Sequence, residues 1–203
     1  MSSSPKQRLP AEERKKQIVE VATKLFSEKG FHGTTTREIA EAAGISEAIV
    51  FRLFETKEKL YAAIIETHKE PDGACLSLEL MKKKDDYAVF FTIARCLLSV
   101  GENPTFLRLL LFSALEDSTL SDMFFESRVT YYFGQLANYI QQRINDGAFE
   151  PVDPYLAARA FTAMSHQHVM AQELFGEKKR MQFDKEQVAE TFTKLFLKGL
   201  EKN

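Results

Sequence analysis

An all-α fold is what this sequence of 203 residues predicts, on three observations. Apolar residues recur at helical spacing along nearly the whole chain, as at Ile18, Val21, Ala22, Leu25 and Phe26, where they fall at i, i+3, i+4, i+7 and i+8. Segment starts carry N-cap residues, and twice the cap is followed by proline at the first helical position, at Asn103-Pro104 and Asp153-Pro154. No stretch alternates polar and apolar as a half-buried strand does, and no internal repeat or low-complexity tract interrupts the pattern. The expectation is about nine helices.

The first helix is expected from Pro10 to Lys29, with Gly30 ending it. A short second helix follows Thr35, where Thr35-Thr36-Arg37-Glu38 has the form of a capping box, and Ile39, Ala40 and Ala43 make its inner face. Gly44 breaks it after about two turns. Ser46 opens a third short helix with Val50, Leu53 and Phe54 inward, and Thr56 opens a fourth from Lys57 to about Lys69, ended by Pro71 and Gly73. Further helices are expected over Asp85–Gly101, Thr105–Leu115 and, as one long amphipathic element, Ser121–Asn145. Asp153-Pro154 opens a helix to about Phe175, Gly176–Phe183 reads as a charged loop, and Asp184 caps a last helix. Its apolar stripe is Val188, Phe192, Leu195, Phe196 and Leu200.

Composition narrows the function classes. Apolar residues are 44% and charged residues 28%, as in an ordinary soluble globular protein. Seventeen Phe and no Trp point either to a Phe-rich core or to an apolar cavity. The two cysteines, Cys75 and Cys96, are too few for a disulfide framework or a zinc knuckle, and they fit a reducing cytoplasm. The polar N-terminus lacks the apolar core of a signal peptide, and no apolar run approaches the ~18 residues of a membrane span, so the expected localisation is cytoplasmic. Net charge is -2; residues 1–60 carry eleven Lys/Arg against nine Asp/Glu, leaving sixteen against twenty for the rest. Any nucleic-acid contact must therefore come from a few placed cations rather than a basic surface.

The informative stretch is Thr34–Lys59, TTTREIAEAAGISEAIVFRLFETKEK. Two short helices flank the turn Ala43-Gly44-Ile45-Ser46. Ala40 is small enough for the helices to cross closely, Gly44 permits the turn, and Ile45 plugs its corner. That meets the physical specification of a helix-turn-helix, whose second helix enters the major groove of DNA. The turn alone is equally compatible with an αα-corner inside a bundle. The polar start of the second helix, and Ala48 and Arg52 standing outside its core pattern, favour the DNA reading.

These residues resemble the TetR family of bacterial regulators. The likeness runs from about Ile18 to Leu60 and rests on A-x-x-L-F at 22–26, G-F at 30–31, T-T-R-E-I-A at 35–40, A-G-I-S at 43–46 and F-x-x-K-E-x-L at 54–60. The resemblance implies an N-terminal three-helix helix-turn-helix domain for DNA binding over residues 1–56, a C-terminal helical bundle for ligand binding and dimerisation over 57–203, and a homodimer. Carried over by position, Thr35 and Thr36 would lie near a phosphate at the start of the second helix. Arg37 would reach a base edge or a phosphate; the alternative for it is a solvated helix charge. Ser46 would start the recognition helix, Glu47, Ala48 and Ile49 would face the groove, and Lys57 would pair with a phosphate. The chain departs from the family where Ile49-Val50-Phe51 replaces the usual Thr-Leu-Tyr and Leu53 replaces a His or Tyr. Phe51 lacks the hydroxyl that would bond a phosphate, so Arg52 is expected to compensate, and Ile49 is positioned to meet a thymine methyl.

For an effector, the resemblance suggests a largely apolar pocket with a few polar anchors. Phe91, Arg95, Arg108, Phe112, Arg128, Tyr132 and His166 are the candidates, the competing role for the aromatic residues being plain core. His166 and His168 are two apart on a helix, a poor metal pair, though either is a candidate for lining a cavity. No catalytic triad, metal cluster or phosphate loop is readable, so no cofactor and no enzyme activity are expected. The runs Lys82-Lys83-Lys84 and Lys178-Lys179-Arg180 read as solvated loop ends. Ala157, Ala158, Ala160 and Ala163 would allow close approach at a dimer interface. The final helix is apolar beyond one stripe, through Leu195 and Leu197 as well as Phe192, Phe196 and Leu200, and so wants two partners. The functional expectation is a homodimeric regulator, a repressor released from operator DNA by a small apolar ligand. The rival classes are a small-molecule enzyme on a helical bundle and a helical protein adaptor.

Overall fold

The computed structural model describes residues 10–68, 75–100, 103–116, 118–124 and 130–202. Among these the chain is helical: α1 Ala11–Lys29, α2 Thr36–Ala42, α3 Glu47–Phe54, α4 Lys57–Thr67, α5 Leu78–Lys83, α6 Asp86–Val100, α7 Pro104–Glu116, α8 Ser118–Phe124, α9 Thr130–Asn145, α10 Pro154–Val169 and α11 Lys185–Leu200. A π-turn over Met170–Leu174 follows α10, and a 3-10 turn over Glu177–Lys179 precedes α11. The all-α expectation holds, with eleven α-helices among the described residues where about nine were expected.

The caps that the sequence signals do what their chemistry requires. At Thr35 the hydroxyl accepts the Glu38 N–H while the Glu38 carboxylate accepts the Thr35 N–H, a complete capping box. Thr56, Asp153 and Asp184 accept from the backbone of Lys59, Leu156 and Gln187. Ser46 occupies the N-cap position of α3, but its side chain makes no capping bond.

Three elements differ from expectation. The single helix expected over Ser121–Asn145 is described as α8 and α9, and residues 125–129 between them, Arg128 included, lie outside the described residues. The helix expected to reach Phe175 leaves α-geometry at Met170, where the π-turn inserts an extra residue into the turn. The short α5 was not foreseen because it buries no side chain and so leaves no apolar periodicity to read. The proposed ends of α4 at Pro71 and Gly73 lie outside the described residues.

The chain divides into two compact units, residues 1–69 with 105–123, and residues 70–104 with 124–203. In the first, α1 packs on α4 and α2, and α2 on α3. Its core is Ile18, Ala22, Phe26, Ile39, Val50, Leu60, Tyr61 and Ile64. The rings of Phe26, Phe31 and Tyr61 form a triangle with centroids 5.3, 6.2 and 5.8 Å apart. α7 adds Phe106 and Leu109 to this core, and the Tyr61 hydroxyl donates to Ser113 Oγ at 2.7 Å. Burial pushes the Tyr61 pKa up, opposed by Ser113, so the phenol stays a neutral donor.

In the second unit α6 lies along α11, and α10 along α9 and α6. Phe90 is its centre, with ring centroids 4.8 Å from Phe161 and 5.0 Å from Phe196. Part of the phenylalanine excess is therefore core. The Arg143 guanidinium grips both carboxylate oxygens of Asp86 at 2.8–3.1 Å, and the Tyr139 hydroxyl donates to the same carboxylate. Asp86 opens α6, so this cluster fixes α9 to the start of that helix. The Arg143 pKa is raised chiefly by the Asp86 hydrogen bonds, against the cost of burial.

Candidate nucleic-acid interface

The α2–α3 corner is built from the turn outward. Gly44 has φ +66°, which an L side chain adopts only with strain, and this left-handed residue turns the chain between the helices. The Ile45 N–H donates to Ala40 O at 3.0 Å, and Gln17 of α1 donates its side-chain amide to Ala43 O at 3.1 Å. The carbonyls of Ala40 and Ala43 at the end of α2 are thus satisfied without a longer loop.

α3 buries Val50 and Phe54 and keeps Leu53 and Ile49 half-buried. Ser46, Ala48, Phe51 and Arg52 are exposed on its other side. Phe51 is 46% exposed, a large apolar ring in water on the face that a helix-turn-helix offers to the groove. Thr35 is exposed and Thr36 half-buried at the start of α2, and the Thr36 hydroxyl donates to the Glu47 carboxylate at the start of α3. Glu47 therefore ties the two helices together as well as standing at the surface. Arg37 is well exposed and donates Nε to Glu41 at 2.9 Å, one turn along the same helix. That bond is the main reason its pKa rises; as an exposed pair it is weak enough to exchange for another anion.

Lys57 sits differently. Its ammonium donates to Phe31 O at 2.8 Å and Thr34 O at 2.9 Å and lies 4.2 Å from the Phe31 ring centroid. From the other side of the same turn, the Glu116 carboxylate of α7 accepts the Phe31 N–H at 2.7 Å and the His32 N–H at 3.2 Å. Gly30, at φ +77°, lies so close to Glu116 that a Cβ there would overlap the carboxylate. The α1–α2 turn is thus held through its carbonyls by a cation and through its N–H groups by an anion. Sequence reasoning assigned Lys57 by family position and missed Glu116, which carries no local signal.

The effector candidates are placed as follows. Arg108 is exposed and Phe112 half-buried on α7, in the first unit. In the second unit Phe91 stacks on Tyr87 at 5.8 Å, and Arg95, exposed, lies 6.0 Å from the Phe91 ring and 4.0 Å from Glu186. Tyr132 is half-buried against Tyr131, His166 is exposed on α10, and Arg128 lies outside the described residues. The second unit has an open cavity of about 520 Å³ where the ends of α6 and α10 meet the start of α11. His168, Gln172, Glu173 and Lys185 are among its lining residues, so its wall is more polar than expected, and His168 rather than His166 lies on it. Burial pushes the His168 pKa down, against the pull of Glu177. Among the described residues no group of three or more His, Cys, Asp or Glu is placed to hold a metal, and no helix is long and apolar enough to cross a membrane.

A tri-helical reader with one side of its third helix presented to solvent, joined to a separate helical unit, defines a helix-turn-helix DNA-binding regulator. Comparison with known proteins gives the family. Residues 18–64 match the model of bacterial regulatory proteins of the tetR family, and residues 93–199 match the C-terminal domain of AefR-like transcriptional repressors. The chain belongs to the TetR family and is a DNA-binding transcriptional regulator. It is 27% identical over 201 residues to the uncharacterized HTH-type regulator YhgD of Bacillus subtilis, covering 94% of this chain and 98% of that one. It is 38% identical to the regulator YvkB of the same organism over 88 residues, which is 43% of this chain and 45% of YvkB. In fold it is similar to AibR, crystallised with isovaleryl coenzyme A and operator DNA, with TM-score 0.67 at 20% identity over 90% of this chain and 97% of that one.

Proposed function

We propose that the protein acts as a homodimeric repressor whose α3 helices enter successive major grooves of a pseudo-palindromic operator and which a small ligand releases. The observation that carries this is the exposed side of α3, where Ala48, Phe51 and Arg52 stand in solvent while Val50 and Phe54 anchor the helix. In this reading Arg52 and Arg37 supply the charged contacts, Thr35, Thr36 and Ser46 the neutral ones, Ala48 and Ile49 an apolar surface for thymine methyls, and the Phe51 ring lies beside a phosphate without bonding it. Glu47 positions α2 against α3 through Thr36, and Lys57 acts through the α1–α2 turn. Residues 1–56 serve DNA binding and residues 57–203 serve ligand binding and dimerisation, a division by role; in packing, α4 joins α1.

Dimerisation is assigned to α10 and α11. On α10 Leu156 is 66% exposed, and Ala160 and Ala163 are exposed further along that helix; on α11 Leu195 is 62% exposed. Small residues beside exposed leucines suit a helix–helix seam between two copies. AibR, a protein of the same fold, binds isovaleryl coenzyme A and operator DNA. That supports a small organic effector here, released or bound through differential affinity for two dimer geometries. Light scattering and DNase footprinting on the DNA upstream of its own gene test the reading together. Twice the 23.2 kDa chain mass and a footprint of two half-sites about one helical turn or more apart are expected. A monomer protecting one half-site contradicts it.

A further inference from the structure

Cys75 and Cys96, the two cysteines of the chain, are joined by a disulfide with Cα atoms 5.3 Å apart, within the usual Cα–Cα range for a disulfide. Both residues belong to the second unit and both are half-buried, within reach of a small oxidant. A transcriptional regulator works where the DNA is, and in a bacterial cell that compartment keeps thiols reduced. A bridge between cysteines there is a transient, redox-responsive bond, not a permanent staple.

The surroundings of Cys75 give the bond something to control. The segment after it contains Leu76, buried, and then α5, six residues that bury no side chain. A helix that short does not hold itself together in water. The covalent tie to Cys96 adds to the burial of Leu76 and the packing of α5 on α6 in fastening this segment to that helix, while Lys84 pairs with Asp146, just past α9, at 2.9 Å.

We propose that Cys75 and Cys96 form a reversible thiol–disulfide site that reacts with oxidants of the peroxide class. Its state sets how firmly residues 75–84 are held on α6, and so makes operator binding redox-dependent. The chemistry is balanced by the pair itself. One thiolate attacks a peroxide oxygen, the O–O bond breaks, and hydroxide leaves and takes a proton as water. The second thiolate attacks the resulting sulfenic sulfur, the S–O bond breaks, and a second water departs. Two thiols and one hydrogen peroxide give one disulfide and two waters; a dithiol reductant returns two electrons and two protons. The regulatory part rests on the DNA-binding function, and the thiol readouts below stand apart from it.

The test uses the full chain, first reduced with dithiothreitol and then treated with hydrogen peroxide. Wild type is expected to lose both titratable thiols within one chain and to regain them on re-reduction. Its melting temperature should rise by roughly 5–10 °C on oxidation, and amide exchange over residues 75–84 should slow at least tenfold. Operator affinity should differ at least threefold between the two states. Cys75→Ser and Cys96→Ser should each abolish these responses while melting like reduced wild type. The proposal is overturned if peroxide leaves both thiols free, if it links chains instead of closing the bridge, or if exchange over 75–84 is the same in both states. Equal operator affinity in the two states overturns the regulatory part. A reduced protein that binds no DNA at all would count against the DNA-binding function, with the thiol results still readable.

Discussion

The Glu116 carboxylate accepts the backbone N–H of Phe31 at 2.7 Å across 85 residues of chain, and Lys57 holds the carbonyl of the same residue at 2.8 Å. A single turn of five residues, Gly30–Thr34, is therefore gripped through both polarities of its backbone. The helix that follows it begins with Thr35 and Thr36, so whatever fixes this turn also fixes the start of α2.

Removing the anion should loosen the turn. Glu116→Ala leaves two N–H groups to solvent and should destabilise the protein by about 1 kcal/mol, the low end for a charge-assisted pair because the glutamate is exposed. Glu116→Gln keeps one acceptor and should cost about half as much. Urea denaturation at neutral pH reads both, and equal stability of all three proteins would refute the structural role.

Lys57→Met keeps most of the apolar stem but loses the two carbonyl bonds and the contact with the Phe31 ring. A loss of about 1–2 kcal/mol is expected by the same denaturation. Because its donors face the backbone, the slope of log affinity for DNA against log salt should change by well under one. A decrease of about one would mean that the ammonium leaves the turn to hold a phosphate instead.

Phe51→Tyr adds a hydroxyl at an exposed ring on α3 and touches no core contact. Operator affinity should rise roughly twofold to tenfold, one hydrogen bond's worth, with the melting temperature unchanged. Unchanged or weaker binding would show that the ring does not meet a phosphate.

The Glu38 carboxyl is held well below the ordinary carboxylate range, at about 2, first by the Lys29 hydrogen bond at 2.7 Å and then by the Thr35 N–H and hydroxyl. A carboxyl whose folded pKa is depressed stabilises the fold above its ordinary value of 4.5, and that contribution is lost as pH falls toward about 2. The α2 N-terminus should accordingly keep its capping box on acidification until the pH approaches about 2. Carboxyl-detected NMR should give Glu38 a midpoint near 2; a midpoint near 4.5 would mean that the capping box is not formed in solution.

What the sequence made legible was local. Thr35 and Glu38 are three apart, and each satisfies the other's backbone, so their spacing was enough to place the start of α2. Asp153-Pro154 and Asp184 announced α10 and α11 in the same way. Contacts between distant residues left no such mark. Glu116 looks like any helix-terminal glutamate, and Cys75 and Cys96 look like unrelated thiols. The family position of Lys57 gave its place on α4 but not the direction of its ammonium, which is set by the packing of Phe31. The π-turn after α10 was invisible because Met170–Leu174 keeps a helical composition while its hydrogen bonds shift by one residue.

We expect α3 to read DNA through its exposed side, and fluorescence anisotropy with labelled DNA from upstream of its own gene measures this. At about 0.15 M salt the wild-type protein should bind saturably and be displaced by the same unlabelled DNA but not by an equal mass of unrelated DNA. Arg52→Ala, a change at an exposed position that leaves the core intact, should weaken binding roughly fivefold to hundredfold with the same melting temperature. Binding that appears only at low salt, shows no sequence preference and is indifferent to Arg52 would contradict the account.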